Sequence, residues 1–142
     1  MEVFKSGDQA KVFRDFAHAP SKVEASVKAL KEQFGTVRAV LELHTFSSLN
    51  PEFLSEYKGT LNGADKAVVF YSPNAVKIKK LDAVSSTQIL KAFQREDLVV
   101  FTDPAAFQDF LFDQDFTETS LLLMSSGNYG GLDFEKVKEI LK

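Results

Sequence analysis

The sequence predicts an α/β domain of about six strands, mostly parallel with one antiparallel edge strand and with helices on both faces. Three observations carry the prediction. From Ser21 onward, stretches with apolar residues at helical spacing alternate with short apolar runs, the pattern of a parallel sheet covered by helices. Those runs are mostly apolar, as expected of strands buried on both faces. Before them stand two extended runs, Val3 to Lys5 and Lys11 to Phe16, separated by Gly7 and Asp8. They read as a hairpin that supplies the antiparallel edge. The length of 142 residues suits one domain with a sizeable core, since domains run to roughly 100 to 150 residues.

Each element has its own justification. Ser21 with Glu24 three residues on reads as a capping box, in which each side chain satisfies an orphan amide of the first helical turn. Val23, Val27, Leu30 and Phe34 repeat at helical spacing, and Gly35 suits a left-handed stop. Val37 to Leu43 follows as a strand. Asn50 and Pro51 form an N-cap and N1 pair for a helix running to about Leu61, with Phe53, Leu54 and Tyr57 as its buried stripe. Lys66 to Tyr71 is the next strand, and Ser72 to Val84 is a long basic loop holding Lys77, Lys79 and Lys80. Ser85 with Gln88 repeats the capping-box spacing before a helix whose Ile89, Leu90 and Phe93 face inward. Leu98 to Phe101 is a strand, Asp103 and Pro104 restart a helix carrying Phe107, Phe110 and Leu111, and Ser120 to Met124 is the last strand. Gly127 to Gly131 leads into a final helix with Phe134, Val137, Ile140 and Leu141.

Composition removes several kinds of function. A net charge of −3 gives no long-range attraction to phosphate backbones, which argues against a sequence-independent grip on nucleic acid. Zero cysteines exclude disulfides, thiolate zinc sites and a cysteine nucleophile from this chain. Only His18 and His44 are available for an imidazole metal site. The longest apolar runs, such as Leu121 to Met124, fall far short of the roughly 20 residues that span a bilayer, so no membrane partner is expected. Glu2 and Lys5 flank only two apolar residues, which is no secretory leader, and the cytoplasm is the expected location.

In open α/β sheets ligands bind beyond the carboxyl ends of the strands, where loops and helix N-termini converge. Four segments qualify by position: Asp15 to Ser21, His44 to Asn50, Ser72 to Lys80, and Ser125 to Gly131. Asp15 is of the type that accepts two hydrogen bonds from a ribose diol, and His18 of the type that donates to an anion or carbonyl. The competing reading is that both tie down a loop. The hydroxyl-rich second segment reads more readily as an ordinary loop, and the basic third one as a solvated face. The glycines from 127 to 131 lack the dinucleotide fingerprint, and no G-x-x-x-x-G-K-[ST] or nucleophile elbow occurs. Phosphoryl or acyl transfer therefore needs another domain.

Together these segments resemble the C-terminal domain of the Mur ligases along the whole chain. Val12-Phe13-Arg14-Asp15-Phe16-Ala17-His18-Ala19-Pro20 looks like the family's D-[YF]-A-H-[HN]-P segment. Leu41-Glu42-Leu43-His44 is similar to the second-strand segment of the branches that add L-alanine or a recycled tripeptide, and Gly63-Ala64-Asp65 before a strand is also familiar. The ending from Leu123 to Gly131 looks most like the tripeptide-adding branch, murein peptide ligase.

The resemblance implies a Rossmann-like three-layer domain, residues 1–142, that is one of three in a larger ATP-dependent ligase of peptidoglycan synthesis or recycling. There the N-terminal domain holds UDP-N-acetylmuramate, and the central domain supplies the phosphate-binding loop and the magnesium ligands. ATP phosphorylates the substrate carboxylate, and the amine of an amino acid or peptide attacks the acyl phosphate. The C-terminal domain closes as a lid, so no catalytic residue is expected in it and the isolated chain is expected to be inactive. Carried over by position, Asp15 and His18 match nucleotide-side residues, and His44, Ser72, Asn74, Lys77 and Asn128 fall in the substrate-side loops. This sequence departs from the pattern at Ala19, where His or Asn is usual, and at Arg14, where a second acid is frequent. Thr45 and Ser48 replace loop arginines, and His44 stands where the tripeptide-adding branch has Arg. The alternative reading is a stand-alone α/β module that binds a nucleotide or a protein without catalysis.

Overall fold

The computed structural model describes residues 2–6, 11–17, 19–43, 54–71, 86–113, 119–125, 129 and 131–139. Among them six strands form one sheet: β1 (Glu2–Ser6), β2 (Lys11–Asp15), β3 (Val37–Glu42), β4 (Lys66–Phe70), β5 (Val99–Phe101) and β6 (Ser120–Met124). Their spatial order is β1-β2-β6-β3-β4-β5. Only the β1 to β2 pairing is antiparallel, and the five strands from β2 to β5 run parallel, as the sequence predicts.

Alternation along each strand sorts the core into two layers. Phe13, Ala39, Leu41, Val69, Leu122 and Met124 face one side, packed with Val23, Val27 and Leu30 of α1 (Pro20–Phe34) and with Ile89 and Phe93 of α2 (Ser86–Phe93). Val12, Val40, Val68, Phe70, Leu121 and Leu123 face the other side, packed with Phe107 and Leu111 of α3 (Pro104–Phe112) and Val137 of α4 (Phe134–Glu139). Both faces are thus covered, which is why the central strands carry apolar residues at nearly every position.

Local chemistry moves some boundaries. The helix α1 begins at Pro20, with Ala19 as N-cap and no side-chain cap, so the capping box expected at Ser21 and Glu24 does not form. Proline at the first helical position has a preset φ and no amide to satisfy, so the helix starts two residues earlier and places Ser21 inside the first turn. The Ala19 carbonyl accepts from the amides of Lys22 and Val23, both at 3.0 Å. At the other end Gly35 ends the helix with a positive φ of +82°, as expected of glycine there, but its ψ of −77° lies outside the left-handed helical well; its amide donates to the Lys31 carbonyl at 3.1 Å.

The helix expected to reach Leu61 is also corrected. After Leu54 there is a single 3-10 turn over Ser55–Tyr57 and then irregular turns, in which Gly59 sits at φ +77°. Within these turns Thr60 donates its hydroxyl to the Tyr57 carbonyl at 2.8 Å. Leu54, Tyr57 and Leu61 are nonetheless buried in the first core layer. In α2, Ile89 and Phe93 stand one turn apart and face inward, whereas Leu90 points a hundred-degree step away and is 36% exposed, contrary to expectation. Asp103 caps α3 as predicted, accepting from the Ala105 amide at 3.3 Å with Pro104 behind it. The expected roles of Asn50, Pro51, Phe53, Ser85, Ile140, Leu141 and the Phe34 side chain, and the loop from Ser72 to Val84, lie outside the described residues.

Asp65 anchors the amino ends of β3 and β4. Its amide donates to the Val37 carbonyl at 2.8 Å, its carboxylate accepts from the Val37 amide at 2.8 Å, and Lys31 Nζ reaches the same oxygen at 2.8 Å. Arg95 adds hydrogen bonds to the carbonyls of Leu61 and Asp65. The Lys31 hydrogen bond, more than the Val37 amide, holds the Asp65 carboxyl below its ordinary value of 3.8. A lowered folded pKa stabilises the fold above that value, and the contribution fades as pH falls through the folded pKa. The side chain is 40% exposed, so solvent screens the pair and Asp65→Ala is expected to cost only about 1 kcal/mol at pH 7. Urea unfolding should show this difference narrowing below pH 4, because protonation removes the same interaction from the wild type; a pH-independent difference would contradict the assignment.

Candidate functional site

The carboxyl ends of the parallel strands lie together at one edge of the sheet: Asp15 pairs with Met124, Met124 with Leu41, Glu42 with Phe70, and Phe70 with Phe101. The chain leaving β2 enters α1 on the first face, and the chain leaving β3 returns there through Leu54 and Tyr57. The chain leaving β6 turns instead to the second face, where Tyr129, Leu132 and α4 pack. Connections that diverge to opposite faces open a crevice beside β6, the usual ligand position in such sheets.

Asp15 is the last residue of β2, at the strand end where it was expected, and is partly buried. Its Oδ1 accepts from the Ala17 amide at 3.0 Å, and its Oδ2 accepts from the Ser26 hydroxyl of α1. These bonds hold the carboxylate between the strand end and the helix. A carboxylate oxygen has two acceptor positions, so each of these bonds leaves capacity for one more donor. Next to it, just beyond the end of β2, Phe16 is 74% exposed, an apolar ring that sequence reasoning did not single out. The signal available was its position beside Asp15 at a strand end. His18, His44, Ser72, Asn74, Lys77 and Asn128 lie outside the described residues, so Asp15 is the one expected site residue whose surroundings are defined.

A buried carboxylate, also not singled out, occupies the end of β3. Glu42 is 2% exposed, and its Oε1 accepts from the Ser125 hydroxyl and, at 2.9 Å, from the Tyr129 amide. The Ser125 amide in turn donates to the Asp15 carbonyl at 3.0 Å. One hydrogen-bonded chain therefore links the ends of β2, β6 and β3. The readable signal was an acid enclosed between Leu41 and Leu43 in a strand buried on both faces, since such a group must find donors inside the protein.

Tyr129 sits beneath this chain, fully enclosed, with its hydroxyl donating to the Val40 carbonyl at 3.0 Å. Its ring stacks on Phe107 at 5.6 Å between centroids and lies 6.4 Å from Phe70. Burial, reinforced by the nearby Glu42 charge, pushes the phenol well above its usual pKa, so Tyr129 remains a neutral donor. Arg14 lies over the Phe134 ring with its guanidinium carbon 3.9 Å from the centroid. Among the described residues no three His, Cys, Asp or Glu side chains converge as a metal site, and no helix is long and apolar enough to cross a membrane.

The fold and its crevice define a Rossmann-like α/β domain of the kind found in Mur ligases, with which solved structures match nearly the whole chain. A domain of a protein described as a UDP-N-acetylmuramate:L-alanyl-gamma-D-glutamyl-meso-diaminopimelate ligase, from Haemophilus ducreyi, superposes at a TM-score of 0.67 with 22% identity, over 99% of this chain and 98% of that one. The murein peptide ligase of Psychrobacter arcticus matches 99% of this chain at a TM-score of 0.73 and 14% identity. The UDP-N-acetylmuramate-alanine ligase of Thermotoga maritima matches 89% at 0.60 and 15%. This chain spans 29% and 26% of those two proteins. At these identities the shared property is the fold. No family model and no curated protein matches the sequence itself.

Proposed function

We propose that this chain is the C-terminal lid domain of an ATP-dependent amide-bond ligase that joins an amino acid or peptide to UDP-N-acetylmuramate. The observation that carries the reading is the agreement of fold and motif. The Asp15-Phe16-Ala17-His18-Ala19-Pro20 segment leaves the carboxyl end of β2 and enters α1 in a domain with the fold of Mur ligases.

In the whole enzyme, a carboxylate oxygen of the UDP-sugar attacks the γ-phosphorus of ATP and ADP leaves. The substrate amine then attacks the acyl carbon, phosphate leaves, and the amine loses a proton as the amide forms. The resemblance assigns the magnesium ligands to the central domain, and no step here runs through the metal. What this chain contributes is closure. Asp15 offers acceptor capacity to a ribose diol, the exposed Phe16 ring follows it just beyond the end of β2, and exclusion of water protects the acyl phosphate from hydrolysis. His18 belongs with Asp15 on the nucleotide side, and His44, Ser72, Asn74, Lys77 and Asn128 belong on the substrate side, by their positions in the motif and loops.

This division of labour predicts that residues 1–142 alone fold but do not ligate. One domain offers ribose contacts and little for the triphosphate, so ATP should bind only weakly. Calorimetry that finds micromolar affinity for ATP, or ligation by the chain alone, would contradict it.

A further inference from the structure

We propose that Glu42 is a positioning residue that latches the chain leaving β6 onto the end of β3 and so sets the shape of the substrate side of the crevice. The inference rests on the ligase reading for its substrate, and on this structure alone for the latch. Ser125 and Tyr129 flank residues 126–128 of the fourth crevice segment, and both donate to the same Glu42 oxygen, one through its hydroxyl and the other through its amide. The two anchor points are themselves fixed. Ser125 is tied to β2 through the Asp15 carbonyl, and Tyr129 to β3 through the Val40 carbonyl.

Two further features favour positioning over simple stabilisation. Tyr129 adopts φ +56°, a left-handed conformation that is uncommon for a bulky residue and persists only where the surroundings over-determine it. Its amide on Glu42, its hydroxyl on Val40 and its ring against Phe107 supply that determination. A carboxylate at 2% exposure is also an expensive way to fill space, because a well-packed apolar side chain of similar size avoids the desolvation. Its advantage is directional: one acceptor oxygen fixes where two donors sit, and with them the entry and exit of the intervening chain.

The bonding pattern allows the role to be separated from the fold. Both donors use Oε1, so Glu42→Gln keeps an acceptor oxygen for them, whereas Glu42→Met keeps the volume and removes the acceptor. Amide hydrogen exchange on the 142-residue chain tests the latch. The Tyr129 amide is expected to exchange at least about tenfold faster in Glu42→Met, with Glu42→Gln near wild type and the Leu122 amide in the central strand unchanged. In the full-length protein the same Met variant should raise the KM for the amine substrate at least about tenfold and leave the KM for ATP within about twofold, with rescue by Gln. If Glu42→Met does not fold, Ser125→Ala removes one of the two donors and should shift the amine KM in the same direction. Equal exchange at Tyr129 in wild type and Met variant, uniform acceleration that includes Leu122, or equal rises in both KM values would overturn the proposal. Absence of any ligase activity in the wild-type full-length protein would instead remove the ligase reading, while the exchange data still decide the latch.

Discussion

Asp15→Ala in the full-length protein is expected to raise the KM for ATP at least about tenfold, the equivalent of roughly 1.4 kcal/mol and within reach of one charge-assisted hydrogen bond to a ribose hydroxyl. The structure adds a second consequence. Asp15 also receives the Ala17 amide and the Ser26 hydroxyl, so the alanine variant leaves two donors without their acceptor and should lose about 1.5 to 3 kcal/mol of stability. Asp15→Asn separates the two effects, because its oxygen still accepts from Ala17 and the Ser26 hydroxyl can turn to accept from the new amide group. A stable Asn variant with a raised KM identifies a nucleotide contact. A stable Asn variant with a normal KM would make Asp15 the loop tie that its internal hydrogen bonds already describe.

The largest effect on stability is expected at Phe70, fully buried at the end of β4, with its ring 5.2 Å from Phe107 and 6.4 Å from Tyr129. Phe70→Ala removes one fully buried ring of the aromatic cluster centred on Phe107, at a cost of about 3 to 5 kcal/mol. Denaturant unfolding measures it directly. A loss below about 1 kcal/mol would mean that the second core layer collapses around the cavity, and that Tyr129 does not depend on it for its position.

Much of the fold was legible because strands buried on both faces leave an unambiguous trace. Leu121 to Met124 and Ala67 to Phe70 are apolar at every position, since alternate side chains enter two different core layers. The hairpin was readable from the interruption at Gly7 and Asp8. Errors arose where two local signals competed. Pro20 displaced the start that Ser21 and Glu24 advertise, and a 3-10 turn at Ser55–Tyr57, followed by turns with Gly59 at positive φ, replaces the helix that the apolar spacing through Leu61 continued. Leu90 shows that spacing by itself cannot assign the margin of an apolar stripe in a helix of eight residues.

The site was less legible than the sheet. Asp15 was visible because a motif and a strand end coincide there, but its bond to Ser26, eleven residues along, depends on how α1 docks. Glu42 was hidden for a related reason. Its partners are 83 and 87 residues away, brought to it by β6 pairing with β3, and no local pattern encodes that contact.

The most direct measurement of the central claim is ADP release by the full-length protein when UDP-N-acetylmuramate, ATP, magnesium and either L-alanine or the L-alanyl-gamma-D-glutamyl-meso-diaminopimelate tripeptide are supplied. ADP release is expected to require both UDP-N-acetylmuramate and one of these amine substrates, with the tripeptide preferred, and to disappear when residues 1–142 are deleted. Release that is indifferent to UDP-N-acetylmuramate, or that survives deletion of this domain, would contradict the claim.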